Sequence, residues 1–221
     1  MERGFFDRMA HTQLDWCGFG HRTSWASRLA RPAPAGGAER FRRVWGDAPT
    51  PMRSRDDGYI LVLGQVSGDA QLRDSEIHHT GPLVQAVENA TPRDIDIRIR
   101  PHPLTKWDRP ADARATVIKG DLRSAIAGAR FVVTINSNAG NEALAWGCPV
   151  MCLGPSLYGI AGVAMQTKLV DLPASVRMML DGWRPPRDMT ANVLHHLASR
   201  QWSCDELARG DVLKRRLDEI E

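Results

Sequence analysis

His102 stands between Pro101 and Pro103. A proline on either side restricts the local backbone and holds the imidazole in one direction. At the carboxyl end of a strand such a ring can donate to a phosphate oxygen and stabilise charge on a departing nucleotide. The plainer alternative is a turn histidine satisfied by neighbouring backbone. A second group is Ser137-Asn-Ala-Gly-Asn-Glu142, which follows an apolar run and opens a helix. The first N–H groups of a helix lack intrahelical partners and form the positive end of its dipole, a ready site for phosphate. Ser137 and Asn138 can add side-chain donors, and Gly140 permits close backbone approach. Glu142, a turn further on, can accept hydrogen bonds from both hydroxyls of a ribose. The competing account is capping, with Ser137 as N-cap and Glu142 supporting the turn. The stretch is neither a GxGxxG fingerprint nor a Walker loop, which weakens the dinucleotide and P-loop readings.

Other reactive side chains carry less. Cys17, Cys148, Cys152 and Cys204 form no CxxC pair, and no histidines lie at zinc-finger spacing, so neither a metal nor another cofactor is expected. Cys148 and Cys152 fall at a buried strand, where packing is the ordinary role of cysteine. The pairs His78-His79 and His195-His196 each point two ways and make poor metal sites. Arg40, Arg42 and Arg43 read as a solvated basic face. Ser24 and Ser156 lack a GxSxG elbow, which leaves a hydrolase triad unsupported.

The elements that must position these groups alternate. Tyr59–Gly64 is a continuous apolar run, the pattern of a strand buried on both faces. Leu83, Val84 and Val87 mark a helix ending near Asn89, before Pro92. Residues 94–100 alternate with period two and stop at Pro101. Residues 115–118, 131–134 and 149–153 read as three further short strands. A helix over 122–129 is capped by Asp121, and another holds Glu142–Trp146. The expected class is α/β: a Rossmann-like, mostly parallel sheet with helices on both faces. Ligands of such sheets bind outside the carboxyl ends of the strands, where strand order reverses. Gln65, His102, Ser137, Asn138 and Gly154 all fall just past strands. Two tail helices are expected, over 189–200 and 205–220, the second capped by Ser203 or Asp205. The first 50 residues show little periodicity, and Arg31–Gly37 reads as an irregular connection.

The bulk properties are those of a globular chain: 221 residues, 43% hydrophobic, 25% charged. A net charge of +3 is too small to argue for nucleic acid, which is not expected as a partner; it fits anionic substrates or contact with an anionic membrane surface. No signal peptide is evident, and no apolar run approaches the ~20 residues that span a bilayer. A cytoplasmic protein, with peripheral contact at the inner membrane as an alternative, is the expectation.

Taken in order, Gly64-Gln-Val-Ser-Gly-Asp69, Arg100-Pro-His-Pro103, Thr134 through Glu142-Ala-Leu and Gly147-Cys-Pro-Val150 resemble the capsule polysaccharide biosynthesis family, which includes the Kdo transferases. Glu2-Arg-Gly-Phe-Phe6 and Gly18-Phe-Gly-His-Arg-Thr-Ser24 are similar to the family's linker, so the likeness covers residues 2–162. It implies the C-terminal half of a GT-B fold, two Rossmann-like domains with the active cleft between them. It further implies a nucleotide-activated donor, CMP- or UDP-linked and Kdo-like, and a glycan or glycolipid acceptor. By that likeness His102 contacts the donor phosphate, Ser137 and Asn138 hold it at the helix start, Glu142 holds the ribose, and Gln65 lines the cleft. The general base belongs to the family's N-terminal domain, so no catalytic residue is assigned. The expected organisation is residues 1–50 as linker and remnant of that domain, and 51–221 as the nucleotide-sugar-binding domain with its C-terminal helices. A partner domain or homo-oligomer is then expected to complete the site. The segment Pro155–Gly162 departs from the pattern by lacking Trp-Gly-Leu. Two other functions remain open: a non-catalytic accessory or remnant protein of polysaccharide export, and a sugar-nucleotide epimerase.

Overall fold

A computed structural model describes residues 2–105, 107, 109–210 and 212. The chain divides into two compact units, Met1–Ala48 with Ala191–Glu221, and Pro49–Thr190. The N-terminal segment holds more regular structure than its sequence suggests. Strand β1 (Glu2–Arg3) pairs antiparallel with β2 (His11–Gln13), and helix α1 spans Gly37–Trp45. The helical signal there is only two residues long: Phe41 and Trp45, four apart, share a face. Phe6 meets both rings edge-on, with centroids 5.1 and 5.5 Å away.

The Pro49–Thr190 unit begins with β3 (Tyr59–Leu63) and α2 (Thr80–Ala90), followed by β4 (Ile97–Arg100) and β5 (Thr116–Val117). Next come α3 (Leu122–Ala127), β6 (Ala129–Thr134), α4 (Ala139–Ala145) and β7 (Val150–Cys152). The short α5 (Leu157–Ile160), β8 (Met165–Gln166) and α6 (Leu172–Leu180) complete it. All pairings are parallel, in the order β5-β4-β3-β6-β7-β8. This is the doubly wound order 3-2-1-4-5-6.

The residue types are compatible with that order. In β3, Ile60, Leu61, Val62 and Leu63 are all buried, as a central strand covered on both faces requires. In β4 only Ile97 and Ile99 are buried, while Arg98 lies over the Tyr59 ring at 4.0 Å and pairs with Asp96. Right-handed crossovers place the helix after β3 and the helix after β6 on opposite faces, because the chain moves in opposite directions from the centre. Leu83, Val84 and Val87 of α2 join Leu172, Val176 and Met179 of α6 and the strand residues Ile60, Val62, Phe131 and Val133 in one core. Each such side chain contributes about 1.5–3 kcal/mol on burial. Asp121 caps α3 as expected, its carboxylate accepting from Ser124 N–H at 2.8 Å.

The chain ends in α7 (Arg187–Ser199), β9 (Gln201–Ser203) and α8 (Cys204–Ala208). Strand β9 pairs antiparallel with β2. Gln201, fully buried, accepts from Phe5 and Phe6 N–H at 2.7 and 2.8 Å and donates to Phe6 C=O at 2.9 Å. Arg40 is not part of a solvated face: its guanidinium forms a two-pronged bond to Glu206, 2.6 Å at each oxygen. Helix α8 starts where Ser203 predicts but stops at Ala208, with Gly210 at φ 78° just beyond. Beyond Gly210 the expected helix to Ile220 lies outside the described residues, apart from Val212. Among the described residues no helix is long and apolar enough to cross a membrane.

Candidate functional site

Strand order reverses between β3 and β6. The loop after β3 turns towards one face and the loop after β6 towards the other, so a crevice opens at their carboxyl ends. Gln65 stands at the end of the first and Asn136 at the end of the second. They face each other across the split: Gln65 Nε2 donates to Asn136 Oδ1 at 2.8 Å, and Asn136 N–H donates to Gln65 Oε1 at 3.3 Å. Both are about 5% exposed, so Gln65 lies in the crevice floor.

Asn136 does more. Its Nδ2 donates to Gln71 C=O at 2.6 Å and Pro155 C=O at 3.3 Å, and reaches Ser75 Oγ at 3.4 Å. One buried amide therefore ties the loops after β3, β6 and β7 together. Sequence alone shows Asn136 only as one of several polar residues past a strand; its central role appears once the three loops are in place.

His102 follows β4 and is half-buried. Gly64, which ends the neighbouring strand, lets it approach: a Cβ on Gly64 would lie 3.0 Å from His102 N and 3.1 Å from Pro101 Cα. His102 Nδ1 accepts from Leu104 N–H at 3.1 Å. With Nδ1 as acceptor, the neutral ring carries its proton on Nε2. His102, Gln65 and Ser137 thus follow three adjacent strands, in the order β4, β3, β6.

The turn into α4 is largely self-satisfied. Asn138 occupies the N-cap position, in place of Ser137. Ser137 Oγ accepts from Ala139 N–H at 3.3 Å, and Ser137 C=O accepts from Gly140 N–H at 2.9 Å. Asn138 C=O and Oδ1 accept from Asn141 N–H and Nδ2, at 2.9 and 3.0 Å. A hydroxyl that accepts still has its own proton to donate, so Ser137 keeps donor capacity. Glu142 lies in the first turn, half-buried.

Gly140 has a second occupant beside it. A Cβ there would sit 2.7 Å from Tyr158 Cζ. The Tyr158 ring is 2% exposed and its hydroxyl donates to Ser137 C=O at 3.0 Å. The missing side chain at Gly140 therefore makes room for Tyr158, which the sequence shows only as one of several rim residues past the fifth strand. Burial pushes the Tyr158 phenol well above its usual range, so it stays a neutral donor.

Burial also pushes the thiol of Cys148 up to about 11 and that of Cys152 up to about 12. Both are packed and unreactive near neutrality. Among the described residues, no group of three His, Cys, Asp or Glu side chains is placed to hold a metal ion. A cavity of about 570 Å³ opens further along the same rim, beside Gly154 and Lys168 past β7 and β8.

Comparison with known proteins places this geometry. Protein FixF of Sinorhizobium fredii is 29% identical over 150 residues, covering 63% of the chain and 37% of the relative. The capsule polysaccharide export protein KpsS of Escherichia coli is 26% identical over 140 residues, covering 55% of the chain and 36% of the relative. The chain thus spans little more than a third of the length of either. Among solved structures, the β-Kdo 2,7 transferase of Thermosulfurimonas dismutans KpsC aligns with TM-score 0.63 and 24% identity, over 90% of this chain and 67% of that one. The β-Kdo 2,4 transferase of the same KpsC gives 0.50 and 16%, over 89% and 77%. These likenesses show a shared fold, the α/β architecture of GT-B glycosyltransferases. The model of the family described as capsule polysaccharide biosynthesis protein matches residues 43–201, and because that stretch is well over half of the chain and includes every rim residue described above, the chain belongs to this family.

Proposed function

We propose that the Pro49–Thr190 unit binds a nucleotide-activated sugar and serves as the donor half of a glycosyltransferase in capsule or surface polysaccharide assembly. The observation that carries this reading is the convergence of His102, Gln65 and the Ser137–Glu142 turn at the carboxyl ends of three adjacent parallel strands, astride the strand-order reversal. A phosphate laid across these strand ends meets the Nε2 proton of His102 on one side and the Ser137 hydroxyl on the other. The Glu142 carboxylate, a turn into α4, is suited to the two ribose hydroxyls.

In the transfer step the acceptor hydroxyl attacks the anomeric carbon as the bond to the phosphate oxygen breaks. The nucleotide leaves with the electron pair. Charge grows on that phosphate, and the His102 N–H, already directed by Leu104 and the flanking prolines, stabilises it without reorganisation. The acceptor proton passes to a general base outside these residues, which a partner domain supplies. A CMP-linked, Kdo-like donor is the choice that the family resemblance favours, with UDP-linked sugars as the alternative. The acceptor is a glycan or glycolipid.

Calorimetric titration with CMP, UDP and ADP tests the reading. Binding of at least one nucleotide is expected, and a null result with all three overturns it. His102→Ala is expected to weaken that binding about tenfold or more, equivalent to about 1.4 kcal/mol, with an unchanged circular dichroism spectrum. Equal affinity in the variant would remove the phosphate role from His102.

A further inference from the structure

We propose that Tyr158 is a positioning residue of the donor site: its hydroxyl, behind the turn into α4, fixes the Ser137 peptide and thereby aims the Ser137 hydroxyl at the donor phosphate. Ser137 is held at both of its backbone ends. Its N–H donates to Thr134 Oγ1 at 3.4 Å, and its C=O accepts from Gly140 N–H at 2.9 Å and from the Tyr158 hydroxyl at 3.0 Å. Its Oγ accepts from Ala139 N–H at 3.3 Å and keeps a proton for a ligand. All of these bonds except the one from Tyr158 stay within residues 134–140, where they give the turn its local shape. The Tyr158 bond reaches the turn from a separate element and sets where that shape stands on the rim.

The phenol is itself anchored. Tyr158 lies in α5, which Ser156 caps by accepting from Gly159 N–H at 3.0 Å. Tyr158 C=O accepts from Val163 and Ala164 N–H at 3.1 and 3.0 Å. Ahead of the cap, Pro155 C=O accepts from the Asn136 amide at 3.3 Å, which ties the start of α5 to the crevice floor. Gly140 leaves the space that the ring fills, since a Cβ there would lie 2.7 Å from Tyr158 Cζ. A ring packed on one side and tethered through its backbone on the other holds its hydroxyl in one place.

Tyr158 is 2% exposed, so it acts on a ligand through Ser137 and not by contact. A donor whose orientation is set before binding loses little freedom when the ligand arrives, and residues behind the contacting ones supply that order. This role rests on the donor-site reading above, because without a phosphate at Ser137 the tether has nothing to aim at.

The test is a double-mutant cycle on the full chain, read by calorimetry with whichever of CMP, UDP and ADP the parent binds most tightly. Tyr158→Phe keeps the ring beside Gly140 and removes only the hydroxyl. It is expected to weaken nucleotide binding about threefold or more, and to add no loss in a Ser137→Ala background, where no hydroxyl remains to be aimed. An unchanged affinity in Tyr158→Phe overturns the proposal. So does the same loss with and without Ser137→Ala, which is what a general loosening of the fold would give. A readout that needs no variant of Tyr158 comes from 3-fluorotyrosine labelling, since the chain has two tyrosines, Tyr59 and Tyr158, and Tyr59→Phe assigns their fluorine signals. Nucleotide is expected to shift the Tyr158 signal and to leave that of Tyr59, at the start of β3 and bonded to Ala125 C=O, in place. A Tyr158 signal that stays unmoved in a chain that binds nucleotide overturns the proposal while the donor-site reading stands. No nucleotide binding by the parent overturns both.

Discussion

At the scale of single residues, the site depends on contacts that residue type alone does not disclose. Gly140 is the clearest case. Its sequence context, a small residue at the start of a helix after a strand, suggests backbone approach to a ligand. The structure puts the Tyr158 ring there, with 2.7 Å between Tyr158 Cζ and the position of a Cβ. The ring cannot easily yield, because it is buried and its hydroxyl is held by Ser137 C=O. Gly140→Ala is therefore expected to destabilise the protein by about 1–3 kcal/mol, the usual cost of overpacking. Urea denaturation measures this, and an unchanged midpoint would contradict the packing account. His102 differs, since its two prolines are visible in the sequence and the structure adds the Leu104 contact that sets its tautomer.

At the scale of elements, the start of α8 shows how a local signal and a distant partner combine. Ser203 and Glu206 form a capping box, with Glu206 accepting from Ser203 N–H at 2.8 Å and Ser203 Oγ accepting from Glu206 N–H. That spacing is legible in sequence. What the sequence hides is Arg40, more than 160 residues away, whose guanidinium takes both Glu206 oxygens. The Arg40 bonds first, and the Ser203 bonds after them, outweigh burial and hold the Glu206 carboxyl down at about 2, from a usual 4.5. A carboxyl lowered on folding adds stability that is complete above its unfolded value and is lost as pH falls towards the folded one. The stability gap between the parent and Glu206→Gln is therefore expected to be constant above about pH 5 and to close between pH 4.5 and about 2. Denaturant titrations across that interval measure the gap; one that stays constant to the lowest pH would show that the ion pair contributes little.

At the scale of the whole molecule, the residues proposed to hold the nucleotide all belong to Pro49–Thr190. With saturating CMP, hydrogen exchange is expected to slow in residues 64–69, 101–105 and 136–142 and to stay unchanged in β1, β2 and α1. Protection spread evenly over both units would argue against a site confined to the rim. The sequence by itself determined the α/β class, the strands that carry the rim and the family, because a doubly buried strand must read as an apolar run and because the rim motifs recur in family order. It did not yield α1, whose two aromatic contacts are too few to show a period. Nor did it yield α6, which follows a two-residue strand and carries Pro173 in its first turn. Only the tertiary structure decided the strand order, the Gln65–Asn136 bridge, the Tyr158 ring over Gly140 and the polar cavity beside Lys168. Each of these joins residues from separate elements, 71 positions apart for Gln65 and Asn136 and 18 for Gly140 and Tyr158, and periodicity reports which face a residue takes on its own element, never which distant residue it will meet.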